Sequence, residues 1–390
     1  MNMFSKNQMG GTVVVTVDQA WGSSGKGALN SWIADKNQFD WAVDSFFTNA
    51  GHFTTLDDGT RILTQMLPSA FVNRNAKLYI NAGAAVCLET LFAELKMLDD
   101  MGYQVSDRLV IHPHTNVIVQ EDKDEEKRVL GIKTTSTMKG CGAAVARKSM
   151  RQGKVAKDYE ELHRWIDPDV TMKLIKDISS GANVIFEVAQ GCMLDLNHAQ
   201  FPYTTSRQVH WPQIIADSGI SPVAVSDVVI NCRTHPIRIN NKNAVTGNHC
   251  YSGDFWGAEE IDWPTVALEA GYASYEEFAA KYEKSILTSV TKLPRRVARY
   301  SHDMARYVDA MSGGTMTPNI VSYSLNFLNF IDKEIDGAKT EEELLTSKVK
   351  AWLKNEFFAA IPNAKLKWVR TGILHSQIVE FPDGLDKSKL

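Results

Sequence analysis

Hydrophobic and polar positions alternate between two kinds of segment along this chain. Residues 12–17 (TVVVTV) are apolar or β-branched and carry no charge, the pattern of a strand buried on both faces. Shorter runs at 77–80, 108–111, 183–188, 228–232 and 320–325 read the same way. Between them, 28–35 predicts a short helix, 88–97 spaces its apolar residues for one, and 303–310 and 340–358 predict two more. The alternation predicts an α/β fold: a single domain over 1–390 with a mostly parallel central sheet flanked by helices. Residues 122–128 mix charges and predict a solvated face, 240–254 predicts a loop, and 266–283 a helical excursion on the surface. There is no repeat, low-complexity tract or linker.

Composition narrows the function classes. The chain has 390 residues, 44% of them hydrophobic and 23% charged, as in ordinary globular proteins. A net charge of −4 argues against a general nucleic-acid or membrane-surface binder, while leaving room for a local basic pocket. The five cysteines are odd in number and lack C-x-x-C spacing, which points to a reduced, cytoplasmic chain. The opening residues MNMFSKNQ have no apolar signal core, and no stretch approaches the roughly 18 apolar residues of a membrane span.

Candidate chemistry begins right after the first strand. Trp21-Gly22-Ser23-Ser24-Gly25-Lys26-Gly27 joins a strand to a helix through glycines and a lysine. Such a turn aims backbone N–H groups at phosphate oxygens, with the helix N-terminus and Lys26 adding positive charge. It is not a standard P-loop. Ala20 stands where that pattern has its first glycine, and Gly27 where it has a magnesium-binding hydroxyl. The bland alternative is a tight strand-to-helix turn. Asn49-Ala50-Gly51-His52 follows a second apolar run.

With these two motifs the chain resembles the adenylosuccinate synthetase family, which phosphorylates a purine 6-oxygen and displaces the phosphate with aspartate. The resemblance continues through Leu67-Pro68-Ser69, Lys133-Thr134-Thr135, Phe186-Glu187-Val188-Ala189-Gln190-Gly191, Phe201 to Ser206, Val290-Thr291-Lys292, Arg295-Arg296 and Arg370-Thr371-Gly372. These motifs span nearly the whole chain in order, and they imply the family's P-loop-like fold. The resemblance gives catalytic roles to Ser23, Lys26 and His52, and triphosphate contacts to Ser24, Gly25, Lys26, Gly27, Asn329, Thr371 and Gly372. It places Ser23, Asn49, Thr134, Thr135, Gln190, Thr205 and Leu293 around the monophosphate substrate, and Thr291 and Arg295 at the aspartate carboxylates. Ser23 and the Gly51 carbonyl fall at magnesium-ligand positions. Arg151 matches an arginine that reaches the neighbouring subunit of a homodimer, with Arg147 and Lys148 as alternatives because of a short insertion near Met138-Lys139.

Four departures from the family pattern point one way. Ser23 replaces the family's catalytic aspartate, leaving room for a guanine 2-amino group. Leu293 replaces an arginine near the ribose, which suits a deoxyribose. Asn329 replaces the aspartate that selects GTP. With one donor and one acceptor it complements adenine, implying ATP or dATP. Ile373 replaces a proline in the loop at the triphosphate's base. Together they resemble the bacteriophage branch of the family and imply ligation of dGMP and L-aspartate with ATP or dATP and Mg²⁺, in the host cytoplasm if phage-encoded. The alternatives are a conventional enzyme using IMP and GTP, and a nucleotide-binding protein without ligase activity.

Overall fold

The computed structural model describes residues 3–130, 135–243, 246–288 and 293–390. Among these, nine strands form one sheet: β1 (Val13–Asp18), β2 (Trp41–Asp44), β3 (Lys77–Ile80), β4 (Leu109–Ile111), β5 (Val184–Glu187), β6 (Asp227–Arg233), β7 (Val321–Asn326), β8 (Leu366–Arg370) and β9 (Ile378–Glu380). Their order across the sheet is β9-β8-β7-β6-β1-β5-β2-β3-β4. All neighbours are parallel except β9, which pairs antiparallel with β8.

The β-branched run explains the central strand. Val13, Val15 and Val17 enter the hydrophobic core on one face, and Val14 enters that on the other. All four have no exposed surface, worth about 1.5–3 kcal/mol each in burial. Helix α1 (Lys26–Lys36) packs Leu29 and Ile33 on the Val14 face, joined there by α2 (Leu88–Asp100). Helices α3 (Gln120–Leu130) and α4 (Cys141–Ser149) pack on each other. Helices α5 (Val170–Ser179) and α6 (Trp211–Asp217) lie on the opposite face of the sheet. Helices α7 (Trp263–Ala270) and α8 (Tyr275–Ile286) form a pair with a core of their own, and α9 (His302–Ser312) returns to the main core.

Three expectations change. Residues 266–283 are not a surface excursion: Val266 and Phe278 are fully buried, and Tyr282 reaches the large cavity. The charge run 122–128 is not wholly solvated. Asp122 and Glu126 are buried, Asp122 gripping Arg147 and Glu126 accepting from Ser136 Oγ at 2.9 Å. The helix expected over 340–358 breaks at Thr346, whose hydroxyl caps a new helix by accepting from Val349 N at 3.2 Å.

The topology also positions a site. From β1 the chain builds outward through β2, β3 and β4, returns to β5 beside β1, and then builds the other way from β6. Loops diverging from such a switch point leave a crevice at the carboxyl ends of the strands.

Candidate active site

That crevice is a cavity of about 830 Å³ lined by the loops after β1, β2, β5, β6, β7 and β8. Ser23, Ser24, Gly25, Lys26, Gly27, Asn49, Gly51, His52, Thr135, Gln190, Thr205, Leu293, Arg295, Asn329 and Gly372 all lie on its wall. Residues spread from 23 to 372 in sequence thus converge on one site. Thr134 and Thr291 lie outside the described residues.

The loop after β1 is a backbone cradle. Gly22, Ser23 and Gly25 all have positive φ, and Gly25 caps the N-terminus of α1 with φ 85°. The Ser23 carbonyl accepts from Arg233 Nη1 at 2.7 Å, and the Ser24 carbonyl from Asn231 Nδ2 at 3.0 Å. The loop is therefore tied down from β6, while the Ser23 side chain stays exposed. Beneath it, Asp18 is 3% exposed and its Oδ1 has no partner. Burial raises the Asp18 pKa, against the opposing pull of Lys26, Ser24 and Arg233. Gly27 has no room for a side chain, since a Cβ there would lie 2.9 Å from Ser69 Oγ and 3.0 Å from His52 Cβ.

His52 is fixed on every side but one. Its ring stacks on Phe46 with centroids 3.9 Å apart, and Nδ1 lies 3.2 Å from Glu187 Oε1. Nε2 is buried without a partner. Burial pushes the His52 pKa down and the Glu187 hydrogen bond pulls it back. Burial would raise Glu187, but His52, Lys26 and the Ser69 amide together hold it below the usual carboxylate range. The resting pair is thus a carboxylate and a neutral imidazole whose Nδ1–H points at Glu187, leaving Nε2 for a ligand. The motif containing Glu187 gives it no role in sequence, because an acid inside an apolar run reads only as strand.

Five arginines also line the cavity, Arg238 among them with an unpartnered Nη1. Arg61 and Arg370 each have an unpartnered Nε, and Arg233 an unpartnered Nε and Nη2. Arg295 donates Nη1 to the carbonyls of Ser285 and Leu287. Burial, then the Arg61 charge, pushes Arg295 and Arg370 down to about 10. Burial and then Arg295 push Arg233 down to about 9, against the pull of Asp18. Together with Lys26 they make a basic pocket in an acidic chain, suited to polyanionic ligands. Of these, sequence reasoning singled out only Arg295 and Lys26.

Other placements differ from expectation. Gln190 Nε2 donates to Asn49 Oδ1 at 3.0 Å, joining two of the predicted substrate residues. Thr371 is buried behind the wall, where its hydroxyl donates to the Ala338 carbonyl at 2.7 Å and supports the loop bearing Gly372. Asn329 reaches the cavity, but its amide nitrogen is spent on Tyr282 and Asp336, so only its carbonyl faces a ligand. Arg147 is pinned to Asp122, and Lys148 to the carbonyls of Ala82 and His114. Arg151 is exposed and does not line its own chain's cavity.

The adenylosuccinate synthetase family model matches residues 14–167 and 154–255. The chain belongs to the adenylosuccinate synthetase family. It is therefore a C–N-forming ligase of purine metabolism. Adenylosuccinate synthetases of Methanocaldococcus jannaschii and Methanococcus maripaludis are 30% and 29% identical to it, over 90% and 88% of this chain and 92% of each relative. Two solved structures share the fold. One is the succinoaminodeoxyadenylate synthetase of cyanophage S-2L, bound to dGMP and to dATP as energy donor (TM-score 0.76, 24% identity, 97% of both chains). The other is the fully ligated adenylosuccinate synthetase of Plasmodium falciparum (TM-score 0.75, 16% identity, 95% of this chain and 100% of that one). No described helix is long and apolar enough to cross a membrane.

Proposed function

We propose that this synthetase joins L-aspartate to C6 of dGMP, driven by ATP or dATP, giving 2-amino-2′-deoxy-N6-succinyladenylate, ADP (or dADP) and phosphate. The observation that carries the reading is Ser23. A small, neutral side chain stands exposed in the cavity where the family has an aspartate, on a loop anchored through its carbonyl by Arg233. A guanine 2-amino group fits beside a serine and can donate to its hydroxyl. Leu293 on the same wall suits a deoxyribose. The S-2L neighbour, solved with dGMP and dATP, supports the assignment.

In this reading Lys26 and the α1 N-terminus hold the triphosphate. The γ-phosphoryl group passes to guanine O6: the O6–P bond forms, the bond to the β-phosphate oxygen breaks, and the nucleoside diphosphate leaves. An arriving phosphoryl group raises the proton affinity of His52, so Nε2 becomes a charged donor backed by Glu187. The N1 proton leaves to water in the cavity, since the Ser23 hydroxyl is no base at neutral pH. The neutral aspartate amine then attacks C6, the C6–O6 bond breaks, and the departing phosphate takes up the proton the amine loses. Arg295 faces the carboxylates of that aspartate.

Magnesium fits the same wall. Ser23 Oγ and the Gly51 carbonyl are hard oxygen donors, and Mg²⁺ takes most of its remaining shell from phosphates and water. When bound it would neutralise charge on the triphosphate. The active unit in this reading is a homodimer. Arg147 and Lys148 are committed within the chain, whereas the exposed Arg151 is available to a neighbouring site.

The test is product mass. Protein, Mg²⁺ and aspartate are incubated with dGMP and ATP, or with IMP and GTP. Succinylated dGMP product from the first pair supports the proposal. Product from the second pair alone would make this a conventional synthetase, and no product from either would remove ligase activity.

A further inference from the structure

Asn329 lies on the short turn Leu328–Phe330 and is 2% exposed. Its amide nitrogen donates to the Tyr282 hydroxyl at 2.8 Å and to Asp336 Oδ1 at 3.1 Å. An amide nitrogen carries two hydrogens, so both are used. The direction of the amide is fixed by chemistry. Asp336 is ion-paired with Lys281 and, as a carboxylate, only accepts. Turned end for end, Asn329 would set its carbonyl oxygen against that carboxylate. The Asn329 carbonyl is thus the group left for the cavity.

Tyr282 is placed for this contact. It departs from helical geometry inside α8, with φ −116° and ψ 17°. Its ring is wedged between Phe278 and Phe330, with centroids 5.1 Å and 4.8 Å away, and its hydroxyl lies 3.4 Å from that of Tyr272. Neither ring nor hydroxyl can swing away without opening a buried aromatic cluster.

We propose that Tyr282 and Asp336 are positioning residues for nucleotide selectivity: they lock the Asn329 amide so that one acceptor, and no donor, meets the base of the energy donor. The inference rests on the adenine-nucleotide reading above. Adenine satisfies a lone acceptor with its N6 amino group. Guanine presents N1–H and N2–H₂ side by side, and only one of them can be accepted, so the other is desolvated without a partner. The lock has a second consequence. Asn329→Asp alone puts a carboxylate against Asp336, and two like charges at hydrogen-bond distance repel. Asn329→Asp combined with Asp336→Asn relieves the clash, because the amide introduced at position 336 donates to the carboxylate introduced at position 329.

The test is an equilibrium competition of ATP and GTP against a fluorescent ribose-labelled ATP on the full chain with Mg²⁺. It needs no turnover, so it separates the lock from the choice of dGMP. A wild-type preference for GTP would overturn the adenine reading and the lock with it. Given an ATP preference, Asp336→Asn, which keeps size and shape, should lower the ATP:GTP affinity ratio by about tenfold, and Tyr282→Phe by at least about threefold. Asn329→Asp should weaken both nucleotides, and only the double variant should turn the preference to GTP. The proposal is overturned if Asp336→Asn and Tyr282→Phe both leave the ratio within threefold of wild type. It is also overturned if Asn329→Asp alone prefers GTP as strongly as the double variant. Either of the first two variants, folded by its melting curve, decides the question if the other does not fold.

Discussion

Replacing Glu187 by Gln keeps the shape of the site and removes one buried charge. Glu187 is 1% exposed, accepts from Ser69 N at 2.8 Å and from Ser69 Oγ at 3.0 Å, and faces His52 Nδ1 at 3.2 Å. A glutamine can accept from Ser69 N with its one oxygen and set its NH2 group toward Ser69 Oγ, whose hydroxyl turns to accept, so the melting temperature should move by only a few degrees. The imidazolium loses the one carboxylate that favours it. Burial and Lys26 remain, and both push the His52 pKa down. A hydrogen bond to a charged group is worth about 1.5–3 kcal/mol, or about 10- to 150-fold in rate. The expected result is a kcat lower by that factor, with nucleotide KM values within about threefold, since the charge is needed only as the phosphoryl group moves. The pH profile carries the sign. A lower His52 pKa means the cavity-facing proton is acquired only in more acidic buffer, so the variant's optimum should move toward acid. Product formation followed by mass, from about pH 5.5 to 8.5, measures both effects. A kcat within threefold of wild type with an unmoved profile would refute the His52–Glu187 assignment.

Other expectations follow from the same geometry. Gly27→Ala forces a methyl group into Ser69 and His52, and should cut kcat/KM by about a hundredfold; near-normal turnover would mean the loop has slack. Ser23→Asp crowds a 2-amino purine, so it should lower turnover of dGMP at least about tenfold and raise that of IMP, read by the ratio of the two products. Arg151→Ala should abolish most activity in its own homodimer and regain part of it when mixed with a His52→Ala chain, because one site of the mixed dimer then holds both residues. Absence of such complementation would argue against sharing. Arg147→Ala, by contrast, should act on stability, since it leaves the 3%-exposed Asp122 without its partner; a calorimetric melt tests this.

The sequence revealed most of the sheet, including β3 and β4 at one edge, but not β2, β8 or β9. The runs holding β1, β5, β6 and β7 were legible because strands buried on both faces tolerate little but apolar and small residues. Trp41–Asp44 and Leu366–Arg370 were missed because they are short and carry charges whose placement depends on neighbours far away in sequence. Lys367, for example, stays buried while donating to the Met3 carbonyl at 3.0 Å. The buried acids were opaque for the same reason. Asp122 and Glu126 look like part of a solvated helix until Arg147 and Ser136 arrive from the chain that follows. At the site, the glycine-rich loop after β1, His52 and Gln190 could be singled out from motifs, and all line the cavity. Arg61, Arg233, Arg238 and Arg370 could not, since an isolated arginine in sequence gives no sign that its guanidinium lines a cavity. Asn329 could be identified, but the direction of its amide needed Tyr282 and Asp336.

The proposed acceptor nucleotide is dGMP. One mixture containing equal dGMP, GMP and IMP, with aspartate, Mg²⁺ and ATP, tests it most directly, because the three succinylated products differ in mass. The 2-amino-2′-deoxy product should dominate the early time course, with the ribonucleotide and the IMP product trailing. Equal amounts of the dGMP and GMP products would remove Leu293 from sugar selection, and a dominant IMP product would overturn the dGMP assignment.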